Sequence, residues 1–133
     1  MKSVFNFAMI TGISLLSQTV FADVLTFKTK LGSTLELNLA NDIVTGFFTT
    51  AVSSKSCPVV GIKKPVTGYM AGNKSITFSA SYPECNSVIN FTGYMSEDQQ
   101  SIDSISIIAS DSLSSGIPGE RSLNSVMFNR VES

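Results

Sequence analysis

Gly32-Ser33-Thr34-Leu35-Glu36-Leu37-Asn38-Leu39-Ala40-Asn41-Asp42 places leucine at every second position, with Glu36 and Asn38 between. Side chains two apart share a strand face, so this stretch reads as a strand with one apolar side. Gly32-Ser33 and Asn41-Asp42 bound it with turn-forming residues. The same period continues in both directions. Upstream, Leu25, Phe27 and Thr29 alternate with Thr26 and Lys28. Downstream, strand-like runs cover residues 43–52, 59–62, 76–81, 88–95, 102–109 and 122–131. The run 59–62 (Val59 to Ile62) is the fourth of the eight. Asn-Asp, Gly-Asn and Ser-Glu-Asp clusters mark the linkers, and no stretch holds a 3.6-residue period. Residues 110–119 (Ser-Asp-Ser-Leu-Ser-Ser-Gly-Ile-Pro-Gly) form the longest linker, between the last two strands. Eight short strands with turns between them predict an all-β sandwich or antiparallel barrel. An eight-stranded up-and-down barrel is just wide enough to hold one small ligand.

Composition narrows the function. With 133 residues, 43% hydrophobic and 14% charged, the chain is one foldable domain and not a disordered one. A net charge of -1 leaves no electrostatic footprint for nucleic acid or an anionic membrane. Histidine is absent, which excludes an imidazole base and ordinary His-ligated zinc. The acidic residues fall mostly in turns (Asp42, Glu84, Glu97, Asp98, Asp111, Glu120). No nucleophile with a base and no placed carboxylate pair is legible, so the chain does not read as an enzyme.

The N-terminus reads as a secretory signal. Met1-Lys2 opens it, an apolar run extends from Val4 to Leu16, and Val20-Phe21-Ala22 supplies the small residues of a cleavage site. Cleavage is expected after Ala22, leaving residues 23–133 as the mature all-β domain in the periplasm or outside the cell. Cys57 and Cys85 then face an oxidising compartment, where two cysteines most simply make one disulfide. The loop of roughly 28 residues makes that bond worth on the order of 3 kcal/mol. A Cys-x-x-Cys redox motif is missing.

Several segments in order resemble a known family. They are Leu31-Gly32-Ser33-Thr34-Leu35, residues 44–52 (Val-Thr-Gly-Phe-Phe-Thr-Thr-Ala-Val), Val59-Val60-Gly61, residues 77–82 (Thr-Phe-Ser-Ala-Ser-Tyr), Cys85-Asn86-Ser87 and Phe91-Thr92-Gly93-Tyr94. In this order and spacing they look like the avidin and streptavidin family of biotin-binding barrels, over about residues 27–131. The two cysteines resemble those of the short, disulfide-bearing dimeric bacterial avidins. The resemblance implies an eight-stranded antiparallel up-and-down barrel, with a disulfide joining two loops at its mouth.

It also implies a ligand site for biotin, with no cofactor. A buried ureido ring needs a partner for each polar atom, since an unpaired one costs about 1–3 kcal/mol. The resemblance places Thr29, Ser33 and Phe48 around the ureido oxygen, where Phe48 replaces the usual tyrosine donor. Thr50 stands at one ureido N–H. The other acceptor position falls on Val126, with Asn124 two residues back as the substitute. Leu31, opening the second strand, and Val52, ending the third, are counted with the site, Ser53 or Ser54 lies in the loop that closes over the tail, and Ser87 is placed at the carboxylate end. Ile89 takes the position of a hydroxyl that contacts the thioether. Tyr82, Phe91 and Ser106 match wall positions that the family fills with tryptophan, and tryptophan is absent here. Each lost hot-spot aromatic costs roughly 2 kcal/mol, so binding weaker than in typical avidins is expected. The alternative is an avidin-fold scaffold whose interior is filled by Phe48, Ile89 and Val126. Apolar residues on both faces of the last strands (Ile105, Ile107, Ile108, Val126, Met127) predict a homo-oligomer, and the resemblance favours a dimer.

Overall fold

A computed structural model describes residues 23–55, 57–111 and 119–132. The expected signal and most of the linker 110–119 lie outside the described residues. Eight strands run in chain order: β1 (Val24–Lys28), β2 (Thr34–Ala40), β3 (Ile43–Thr49), β4 (Lys63–Ala71), β5 (Ser75–Tyr82), β6 (Ser87–Met95), β7 (Ser101–Ser110) and β8 (Glu120–Arg130). Each pairs antiparallel with the next, and β8 returns to β1 through Phe27↔Arg130 and Lys28↔Asn129. The sheet is therefore a closed barrel with no free edge.

Alternation decides what fills it. Phe27, Leu35, Leu37, Val44, Ile102 and Phe128 are fully buried, each on the inward row of its strand. Burial of such a side chain stabilises by about 1.5–3 kcal/mol, which the outward threonines and serines do not supply. Asn41 and Asp42, both at positive φ (55° and 65°), make the two-residue turn between β2 and β3.

The fourth strand is not residues 59–62 but Lys63–Ala71. Residues 59–62 instead turn, with Ile62 N–H donating to the Val59 carbonyl and Gly61 at φ 81°. Two of the four inward positions of β4, Lys64 and Gly68, are not apolar, so the period-two pattern is hidden there. Gly68 is needed for closeness: a Cβ would sit 1.8 Å from the Thr77 carbonyl oxygen.

The connections sort to two ends. Tight turns (41–42, 72–74, 96–100) close one end. The β1–β2 turn, the long 50–62 loop and the 3-10 turn Pro83–Cys85 gather at the other, which is the mouth. Cys57 and Cys85 are bonded, with Cα atoms 5.4 Å apart, so the long loop is tied to that 3-10 turn as expected.

Candidate ligand-binding site

Three hydroxyls anchor one side of the mouth. Thr29 closes the β1–β2 turn, donating its N–H to the Ser33 carbonyl at 2.9 Å. Thr29 Oγ1 accepts the Ser33 N–H at 3.1 Å. Ser33 is 3% exposed, and its Oγ accepts the Ala51 N–H at 2.9 Å, which ties this turn to the long loop. Thr50 Oγ1 accepts the Val52 N–H at 3.1 Å. A hydroxyl has one donor and two acceptor sites. All three oxygens are held by backbone donors, and among the described residues no protein acceptor takes their protons. Each hydroxyl thus has its oxygen positioned and keeps a rotatable proton to donate.

The interior holds a cluster of phenyl rings. Phe48 lies 5.1 Å from Phe91 and 6.3 Å from Phe128, centroid to centroid. Phe91 is 5.1 Å from Phe78 and 5.2 Å from Phe128. Tilted and edge-on rings at these spacings attract beyond simple burial. The four rings come from β3, β5, β6 and β8: Phe78 and Phe91 are cross-strand partners, and the curvature of the closed barrel brings Phe48 and Phe128 onto them. Phe78 and Phe128 belong to this cluster although the motif match did not single them out. Ile89 and Val126 are half-buried against the same core.

The remaining expected residues divide. Ser106 is 3% exposed, on the inward row of β7 beside Ser104, whose Oγ donates to the Val126 carbonyl at 2.9 Å. Asn124 pairs across from Ser106 but is exposed, as are Leu31, Val52 and Ser53 on the loops. Ser87 Oγ accepts from Ser110 Oγ at 3.2 Å, at the rim. Tyr82 is 6% exposed and pairs with Ser87 across β5 and β6.

Sequence reasoning missed a cation. Lys64, paired with Phe48 on β4, holds its ammonium 5.3 Å from the Tyr82 ring centroid. It donates a short hydrogen bond to Glu84 Oε2 on the 3-10 turn. That bond holds the Glu84 carboxyl below the usual glutamate range. Burial, then the nearby Glu84 charge, pushes the Tyr82 phenol above its ordinary value. The only sequence signal for Lys64 was its place two residues before Val66. Two grooves lie elsewhere, one of about 570 Å³ among the turns of the far end (Leu39, Asn41, Met70, Glu97). The other, of about 430 Å³, lies on the outer face beside Tyr69 and Asn90. Neither is lined by Ser33, Thr50, Lys64 or Tyr82.

Comparison with known proteins agrees with this fold. The avidin family matches residues 24–115. The rhizavidin–biotin complex is similar at a TM-score of 0.70 and 20% identity, covering 86% of this chain and 98% of that one. The bradavidin2–biotin complex has a TM-score of 0.67 and 20% identity, covering 81% of this chain and 96% of that one. Apo short afifavidin has a TM-score of 0.68 and 26% identity, covering 84% and 98%. No curated protein matches the chain. With a closed eight-stranded barrel, a disulfide across its mouth and a match over most of its length, this chain belongs to the avidin family.

Proposed function

We propose that this protein binds biotin, or a small molecule with a similar cyclic urea, at the barrel mouth, more weakly than a tryptophan-walled avidin. The observation that carries this reading is the set of oriented hydroxyls. Thr29 and Ser33 each have the oxygen fixed and a proton left to donate, and the fixed Thr50 oxygen keeps a second lone pair for a ligand N–H. Preordered donors lower the cost of binding, because fewer groups must be immobilised when the ligand arrives. Avidin-family proteins bind their ligand without transforming it, so no catalytic step is needed. Two solved neighbours are biotin complexes, which supports the ligand class. Phenyl rings in place of indoles, and Phe48 in place of a hydroxyl donor, support the lower affinity.

A second reading rests on the phenyl cluster itself. Phe48, Phe78, Phe91 and Phe128 fill the interior much as a ligand would, which favours a scaffold that has lost the site. Calorimetric titration of biotin into the oxidised chain 23–133 separates the two. Binding near one per chain, abolished by Ser33→Ala with Thr50→Ala, supports the biotin site. No heat at high micromolar biotin from a folded barrel supports the scaffold.

Export after cleavage near Ala22 and self-association belong to the same proposal. The outer face of β6–β8 exposes Val88, Ile105, Ile107, Leu123 and Met127, an apolar area suited to a second copy of this chain. Sedimentation at micromolar concentration should give a dimer, and Ile107→Lys with Leu123→Lys should give a monomer. N-terminal sequencing of the exported product should begin at Asp23.

A further inference from the structure

We propose that Lys64 is the specificity-determining cation of the mouth: it takes the ligand's carboxylate, and Glu84 holds that place in the empty protein. The proposal rests on the reading of the mouth as a biotin site. Neighbouring lysines behave differently. The Lys63 side chain is 61% exposed and pairs with Glu36 on the outer face. The Lys64 side chain is 13% exposed, on the inward row with Val66. An ammonium drawn this far from water needs an anion, because burial of an unpaired charge is costly. Around it are the Phe48 strand position, the Tyr82 ring and one carboxylate.

That carboxylate is a replaceable partner. Glu84 comes from a turn and not from a strand, and its side chain is 43% exposed. Swinging it out returns a glutamate to water, where it is well solvated. An incoming carboxylate then restores the neutral pair on Lys64, so the exchange is close to balanced. Position supports the same partner. A ligand held by Thr29, Ser33 and Thr50 lies at the end of the barrel that also carries Lys64, Tyr82 and Ser87. The rim it reaches is built from Tyr82, Ser87 and the Lys64 ammonium. A strand-borne cation is also better fixed than a loop serine such as Ser53, which is exposed.

The test compares biotin with its neutral amide, titrated calorimetrically into the oxidised chain and its variants. The native protein should prefer biotin over the amide by about tenfold, the size of one charge-assisted hydrogen bond at a half-wet site. Lys64→Gln should bring the two ligands within about twofold, by weakening biotin alone. Lys64→Arg should keep the preference. Glu84→Gln should strengthen biotin by about two- to fivefold, because a weak exposed-pair competitor is gone, and leave the amide unchanged. Equal binding of both ligands by the native protein, or an unchanged ratio in Lys64→Gln, overturns the role of Lys64 and leaves the mouth site standing. Binding of neither ligand overturns the mouth site and Lys64 with it. If Lys64→Gln does not fold, Lys64→Arg and Glu84→Gln decide: an unchanged biotin affinity in Glu84→Gln overturns the exchange.

Discussion

Replacing both cysteines, Cys57→Ser with Cys85→Ser, is the perturbation whose size is best defined by the structure. The bond joins residues 28 apart. Closing a loop of that length in the unfolded chain removes entropy worth about 3.6 kcal/mol at 25 °C. A domain of roughly 110 residues has an unfolding entropy near 0.23 kcal/mol/K, so the melting temperature should drop by about 15 °C. The barrel itself should persist, because its strands pair without the bond. Scanning calorimetry of the oxidised protein and the double variant measures the drop. Urea unfolding of both reports the stability difference at 25 °C. The loss of loop order should appear separately in ligand binding. The long loop carries Thr50 and the Ala51 N–H that orients Ser33. Biotin affinity should fall by about tenfold, mainly through faster dissociation. A melting shift under about 4 °C would refute the entropic reasoning, since it would mean the loops are equally confined without the bond. A full stability loss with unchanged affinity would refute the claim that the bond preorders the mouth.

Other perturbations probe the interior and the rim. Phe128→Ala removes a fully buried ring that touches three others, and should cost about 3–5 kcal/mol in urea unfolding. Phe48→Tyr restores a donor beside Ser33 and should raise biotin affinity by about five- to tenfold in calorimetry. Gly68→Ala places a Cβ 1.8 Å from a backbone oxygen and should destabilise the barrel by about 3 kcal/mol or more, read by thermal melting. The Glu84 carboxyl is depressed below 4.5, so its pair with Lys64 contributes stability above that value and loses it as pH falls through the folded value. The melting temperature should therefore decline below about pH 4.5, and Glu84→Gln should remove that part of the decline.

Most of the fold was legible because a closed antiparallel barrel forces each strand to alternate. Leu35, Leu37 and Leu39 face the interior as their spacing requires, and Ile76, Phe78 and Ala80 do the same on β5. The fourth strand escaped because its inward positions include a lysine and a glycine, and Pro65 lies between Lys64 and Val66. Those residues answer to neighbours in space: Gly68 to the Thr77 backbone, Lys64 to Glu84. Of the residues the motif match singled out, Ser33, Phe48, Tyr82 and Phe91 are buried and Thr50 is half-buried, while Leu31, Val52 and Asn124 are exposed on the loops and on β8.

By itself the sequence determined the alternation of most strands, the supply of two cysteines for one disulfide and the absence of indole and imidazole. The first follows from short-range spacing and the other two from residue type alone. Closure was decided only in three dimensions. The register of β8 against β1 brings Phe128 onto Phe48 and Phe91, three rings far apart in the chain. The pairing of β4 with β5 sets Lys64 beside Tyr82 and near the disulfide-tied turn, so that a surface-type residue becomes the charge at the mouth. Period-two alternation says which residues share a face, but which faces meet depends on the register and shear with which the barrel closes.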